Sequence, residues 1–255
     1  MTAQTGELPL AGLRTVVTGA SSGIGRAIAI AFSAAGARVG IGVCQSAEAA
    51  RAMADQLGGD GKNPLLQADL GTPDGCTSIV NEAFTAFEHV DVWVNNAGAD
   101  VLTGEARSWP DDRKLGVLID VDLKATIRCS RLVAARMGAG GCIINIGWDH
   151  ATVDGMAGDN PELFAAVKGG VVGFSKSFAR SVAPYVRVNV LCPGWVETAY
   201  GAGVDRTFYD KIANATPLGR WGQPEDIAGA AVWLASPAAA FVTGQAVNVN
   251  GGVVG

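Results

Sequence analysis

Short runs of apolar and β-branched residues alternate, from near the start of the chain to its end, with longer stretches whose apolar positions recur every three or four residues. The short runs, residues 14–18, 38–43, 64–68, 90–94, 142–146, 187–191 and 246–249, predict strands. The longer stretches, 24–35, 47–57, 73–88, 112–137, 162–183 and 225–235, predict helices, and Asp226, Ser236 and Pro237 supply start and stop chemistry around the last of them. Strict alternation of strand and helix predicts an α/β fold with a doubly wound parallel sheet of seven strands, covered by helices on both faces. Repeats, low-complexity tracts and linkers are missing from the sequence, so residues 1–255 read as a single domain. The longest stretch without a clear element, 195–223, begins at the carboxyl end of a strand, the edge where ligands bind such sheets, and reads as a substrate lid.

Composition narrows the class. Apolar residues make up 49% and charged residues 17% of the 255, a balance that predicts apolar surface buried between subunits. A net charge of -5 with no run of like charges argues against a nucleic-acid partner. The cysteines (Cys44, Cys76, Cys129, Cys142, Cys192) are widely spaced and form no Cys-x-x-Cys pair, which predicts reduced thiols. With His89 and His150 the only histidines, no metal site is expected. Residues 1–9 lack a basic start and an apolar core, and no later run is long enough to span a bilayer, so a cytoplasmic location is expected.

Thr18-Gly19-Ala20-Ser21-Ser22-Gly23-Ile24-Gly25 follows the first strand and opens the first helix. Glycines there permit a tight turn and let backbone approach a pyrophosphate resting on the positive end of the helix, although close packing alone also produces such turns. Three further segments fall at carboxyl strand ends: Asp69-Leu70, Asn95-Asn96-Ala97-Gly98, and Pro193-Gly194-Trp195-Val196-Glu197-Thr198. With Thr243-Gly244-Gln245 and Val249-Asn250-Gly251-Gly252 near the end, these segments make the chain resemble the short-chain dehydrogenase/reductase family over residues 10–252, most closely the 3-oxoacyl-carrier-protein reductases. The resemblance implies a Rossmann-type site for NADP or NAD in which Asp69 and Leu70 contact adenine. Asn96 would stabilise the central strand beside the cofactor, and Val196 and Thr198 would hold the carboxamide. At the end of the second strand, Gly42-Val43-Cys44-Gln45-Ser46 offers the ribose neither an acidic nor a basic residue. Arg26 and the hydroxyls of Ser21 and Ser22 tilt the expectation toward NADP, with Arg26 equally well read as a solvated helix residue.

The catalytic positions depart from that family. The resemblance implies a tetrad of Asn, Ser, Tyr and Lys; Asp122 stands at the Asn position, Trp148 at or near the Ser position and Phe164 at the Tyr position, and Lys168 alone agrees. A phenol four residues before a lysine shares its helix face and can protonate a nascent alkoxide, whereas phenylalanine keeps the ring without the proton. Asp149 and His150 follow the fifth strand directly and are candidates to carry the proton with Lys168, or simply cap a loop; Asp154 and Glu162 lie nearby. Asp122 is a candidate proton carrier or a helix carboxylate paired to Lys168. Trp148, Phe164, Trp195, Tyr200 and Met156 are expected to line an apolar pocket for a flat or apolar small molecule. The leading expectation is an NAD(P)-dependent oxidoreductase with an atypical proton donor, assembled as a homotetramer through helices 112–137 and 162–183 as in the resembling family. The alternatives are a redox-inactive homologue acting as partner subunit or sensor, and a dehydratase or isomerase using Lys168 and a carboxylate.

Overall fold

Val16 and Val17 are adjacent in the chain and end in different cores. Val16 packs with Phe84, Trp93 and Ile143, and Val17 with Ile28, Ile41 and Ile144. Successive side chains of a strand point to opposite faces, so a run that is apolar at every position has to be covered twice. The computed structural model, which describes residues 8–44, 47–58, 62–157 and 161–254, shows that arrangement. Its strands are β1 (Arg14–Thr18), β2 (Arg38–Val43), β3 (Leu65–Gln67), β4 (Val92–Asn95), β5 (Gly141–Ile146), β6 (Val186–Pro193) and β7 (Ala246–Val249). All pair in parallel, in the order β3-β2-β1-β4-β5-β6-β7. The expected fold class is therefore present, and no strand end differs from its predicted position by more than two residues.

The helices are α1 (Gly23–Ala34), α2 (Ala47–Gln56), α3 (Pro73–Phe87), α4 (Asp111–Leu118), α5 (Ala125–Ala134), α6 (Pro161–Val182), α7 (Ala199–Gly203), α8 (Arg206–Ala215) and α9 (Pro224–Ala235). The first and last of these cover the Val17 face, while α3, α5 and α6 cover the Val16 face. A buried polar chain ties the second layer to the sheet. Asn95 Nδ2 donates to Asn145 Oδ1 (2.8 Å) and Ser130 Oγ (3.0 Å), and Asn145 Nδ2 donates to Ser175 Oγ (2.8 Å). Every member gains a partner, so the chain fixes how α5 and α6 sit on β4 and β5.

Two expectations need correction. The helix expected over 112–137 is divided: a π-helical turn, Ile119–Lys124, joins α4 to α5, and the helical run stops at Ala134. Such a turn inserts an extra residue without interrupting the apolar pattern, which is why periodicity does not reveal it. The stretch 195–223, expected to lack a clear element, contains α7 and α8. Asp205 caps α8 by accepting from Phe208 N (2.9 Å), and Thr198 stands at the cap position of α7. Both helices are short, and α8 contributes no fully buried residue, so neither leaves a long apolar stripe in the sequence. Among the described residues no helix is long and apolar enough to cross a membrane.

Candidate active site

Parallel pairing brings every carboxyl strand end to one edge of the sheet, and the chain winds away in opposite directions from the neighbours β1 and β4, opening a crevice between them. The β1–α1 turn lies there. Gly19 (φ 65°) and Gly23 (φ 52°) adopt left-handed backbone. A Cβ on Gly25 would stand 2.3 Å from both Asn96 Nδ2 and Gly19 O, so α1 reaches this depth only with glycine. Asn96 holds the turn from β4: its Nδ2 donates to Thr18 O (2.9 Å) and Gly19 O (3.2 Å), and Thr18 Oγ1 accepts from the amides of Asn96 and Ala97, both at 3.0 Å.

The positive end of α1 is left open. Ser22, its N-cap residue, makes no side-chain capping bond, and no acidic residue stands in the first turn. Free amides and the helix dipole suit an anion such as a pyrophosphate, and the glycine turn leaves the backbone bare for it. Gly19, Ser21, Ser22, Gly23, Ile24 and Gly25 thus fit a dinucleotide. Thr198 lies directly across from the turn, its Cγ2 3.6 Å from where a Gly23 Cβ would be. Gly194 cannot carry a side chain, since a Cβ would meet that of Asn250 at 2.7 Å. Pro193 closes β6 just before it, and Val196, 8% exposed, bridges to Gly222.

Cys44 follows β2 and is exposed, its thiol pushed above the usual range by partial desolvation and by the nearby Asp69 charge. Asp69 Oδ1 already accepts from Gly71 N (2.9 Å), and the Leu70 side chain packs into the core with Ile79 and Phe84. Gln45 and Ser46 lie outside the described residues. Arg26 Nη2 donates to Gln56 Oε1 at 2.6 Å, so its guanidinium is partly engaged on α2.

A cavity of about 240 Å³ opens beside Lys168. Trp148, Met156, Phe164, Trp195 and Tyr200 line it as expected, joined by Leu102, Gly147 and Pro161, which the sequence did not single out. Phe164 and Lys168 share one face of α6 and both reach the wall. Lys168 Nζ stands 2.9 Å from Asp122 Oδ2 and donates to Ile146 O at 3.2 Å. Asp122 Oδ1 accepts from Ala99 N at 2.8 Å, and a Cβ on Gly98 would come within 2.9 Å of Oδ2, so the loop after β4 presses onto the same carboxylate.

Asp149 and His150 are not brought to this cavity. The Asp149 carboxylate, fully buried, accepts from its neighbour's amide, His150 N (2.8 Å), and from Asn250 Nδ2 (3.1 Å). Burial pushes its carboxyl above the usual range, with those hydrogen bonds pulling the other way. The His150 ring leans on Trp148 at 5.2 Å, and its Nδ1 is buried with no partner among the described residues. Neither residue is among those lining the cavity, and Asn250 from the C-terminal turn holds the Asp149 carboxylate.

Residues 195–223 are tied together at their base and tiled with aromatics. Gly222 N donates to Trp195 O (2.8 Å) and Glu197 N to Gly222 O (2.9 Å), while Arg220 grips Asp226 through two bonds of 2.6 and 2.9 Å. Trp195 touches Tyr200, Phe208 and Trp221, and the Tyr209 hydroxyl donates to the Glu197 carboxylate.

Comparison with known proteins agrees with this geometry. The family model described as enoyl-(acyl carrier protein) reductase matches residues 19–254. The 3-oxoacyl-(acyl-carrier-protein) reductase of Escherichia coli strain K12 is 37% identical over 245 residues, spanning 93% of this chain and 96% of that protein. The same enzyme of Synechocystis is 36% identical, spanning 100% of this chain and 99% of that one. Among solved structures, a short-chain dehydrogenase from Burkholderia cenocepacia in complex with NADP superposes with a TM-score of 0.86 at 30% identity, covering 96% of this chain and 99% of that chain. A blue fluorescent protein from a metagenomic library, in complex with NADPH, gives 0.86 at 31% identity over 97% of this chain and 100% of that chain. With that family model matching residues 19–254 and these relatives covered almost end to end, the chain belongs to the short-chain dehydrogenase/reductase family.

Proposed function

We propose that this protein is a nicotinamide-dinucleotide-dependent oxidoreductase that interconverts a small apolar or aromatic carbonyl compound and its alcohol, with a proton donor other than residue 164. One observation carries this reading: the edge fitted to a dinucleotide is intact and Lys168 is held beside an aromatic-walled cavity, although Trp148 and Phe164 replace the usual hydroxyls. When bound, the dinucleotide supplies or accepts the hydride. Gly19, Ser21, Ser22, Gly23, Ile24 and Gly25 would hold its phosphates, Cys44, Asp69 and Leu70 its adenosine end, and Asn96, Ala97, Gly98, Pro193, Gly194, Val196 and Thr198 the nicotinamide half. Lys168, fixed by Asp122 and Ile146 O, presents a positive charge where negative charge develops on the substrate oxygen. The cavity's aromatic walls exclude water and favour a flat substrate. NADP is favoured over NAD because the residue that follows β2 is Cys44 rather than a carboxylate, and two solved relatives hold NADP or NADPH. The long helices α4–α5 and α6 are proposed to pair between subunits of a homotetramer.

The loss of both hydroxyls supports a second reading, a redox-inactive member that keeps the dinucleotide as structure or signal for a partner subunit. Fluorescence titration with NADPH and NADH separates the outcomes. At least one should bind in the micromolar range, about -8 kcal/mol, and a panel of aromatic ketones should then be reduced. Saturable binding without turnover selects the second reading, and no saturable binding removes both.

A further inference from the structure

We propose that Tyr200, on the lid, supplies the phenolic proton that Phe164 has lost, an inference that rests on the oxidoreductase reading above. Of the residues lining the cavity, Trp148, Trp195, Lys168 and Tyr200 carry a proton on nitrogen or oxygen in the side chain, and the indole N–H of a tryptophan donates a hydrogen bond but is far too weak an acid to give its proton up. The Lys168 ammonium is already committed to Asp122 and to Ile146 O. Asp149 is buried against Asn250, off the cavity.

The other tyrosines of the chain are placed elsewhere. Tyr185 is 64% exposed just before β6, at the amino ends of the strands, opposite the site. Tyr209 donates to Glu197 and lies flat on Trp221, its ring 5.1 Å away. Tyr200 differs from both. Its ring stacks on Trp195 (6.2 Å, 24°), which fixes it on the cavity wall, and its hydroxyl has no hydrogen-bond partner among the described residues. A hydroxyl left unpaired on an apolar wall is available to a ligand oxygen.

The step balances. The carbonyl carbon gains a hydride from the reduced nicotinamide dinucleotide, which is oxidised by two electrons. The carbon–oxygen π pair becomes an O–H bond with the proton of Tyr200. The phenolate, in the same cavity as the Lys168 charge, regains a proton from water. Tyr200 sits on α7, so the segment 195–223 places the acid rather than α6.

Tyr200→Phe removes only the hydroxyl and keeps the stack on Trp195. The expected results are an NADPH affinity and melting temperature like the wild type's, and ketone reduction lowered about 10²-fold or more. Phe164→Tyr added to Tyr200→Phe should recover part of that rate. A readout free of turnover uses carbonyl-labelled acetophenone bound to the protein without dinucleotide. Its infrared carbonyl band should lie at lower frequency in the wild type than in Tyr200→Phe, because a hydrogen bond from the phenol weakens the C=O bond. Equal bands, absence of a bound band, or an unchanged rate in Tyr200→Phe overturn the assignment. Failure of the wild type to bind NADPH, or to reduce any ketone while binding it, overturns instead the reading on which it rests.

Discussion

The ammonium of Lys168 lies 2.9 Å from the carboxylate of Asp122, with the two side chains 13% and 3% exposed. Asp122 stands in the π-helical turn and at the position where the family resemblance implies asparagine, and it also takes the amide of Ala99. One carboxylate therefore locks α6, the α4–α5 junction and the loop after β4 together. Asp122→Asn keeps an acceptor for Ala99 but removes the charge facing Lys168, and should cost about 1.5–3 kcal/mol of stability by urea unfolding. An unchanged midpoint would show that water replaces the pair without loss.

Gly25→Ala tests the glycine turn. The added methyl would stand 2.3 Å from both Asn96 Nδ2 and Gly19 O, and the latter is backbone that can move only with the turn. A destabilisation of about 1–3 kcal/mol and loss of saturable NADPH quenching are expected. Retained quenching in a folded variant would place the dinucleotide elsewhere.

Thiol chemistry tests the proposed adenosine end of the site. Cys44 is the exposed cysteine; Cys76, Cys129, Cys142 and Cys192 are buried, and burial pushes Cys142 up to about 11 and Cys192 to about 12. Ellman's reagent at pH 8 should label one thiol of the native protein, and Cys44→Ser should abolish that signal. Saturating NADPH should slow the labelling, since the proposed site covers Cys44. Equal rates with and without NADPH would remove Cys44 from it.

Restoring the lost hydroxyls should raise activity. Trp148 and Phe164 share the cavity wall with Lys168, so Phe164→Tyr with Trp148→Ser puts a phenol and an oxyanion donor beside the ammonium. Ketone reduction should rise by about 10²-fold or more over the wild type, as either group supplies roughly that factor where it acts. No gain, in a variant that still binds NADPH, would mean that the enlarged cavity no longer holds the substrate against these groups.

The lid should loosen in acid. Hydrogen bonds from Tyr209 and Gln223 hold the Glu197 carboxyl below the usual range, and Arg220 does the same for Asp226. A depressed folded-state value adds stability at neutral pH that begins to fade below the ordinary carboxylate value, about 4, and is gone once pH has passed the depressed one. Cleavage within residues 199–215 by pepsin should accelerate as pH drops below about 4, and Glu197→Gln should flatten that dependence. A cleavage rate that tracks only the global unfolding curve would deny the lid its own titration.

The amino-acid sequence by itself determined the alternation of strands and helices, the glycine turn after β1, and the loss of the hydroxyls at Trp148 and Phe164 beside a retained Lys168. These are local facts: Val16 and Val17 face opposite cores because neighbouring strand residues must, and Phe164 and Lys168 share a face because four residues make about one helical turn. Only the tertiary structure decided which of the nearby polar groups reach the cavity. Asp149 follows β5 as directly as any catalytic residue could, yet Asn250, 101 residues further on, claims its carboxylate. Tyr200 read as one more apolar wall until the aromatic stack on Trp195 set it apart from Tyr209, whose hydroxyl is taken by Glu197. The π turn at Asp122 and the two lid helices escaped for the same reason. Periodicity records which side of an element is apolar, whereas a side chain's partner depends on chain segments brought in from far along the sequence, and competition among those partners decides where each proton is held.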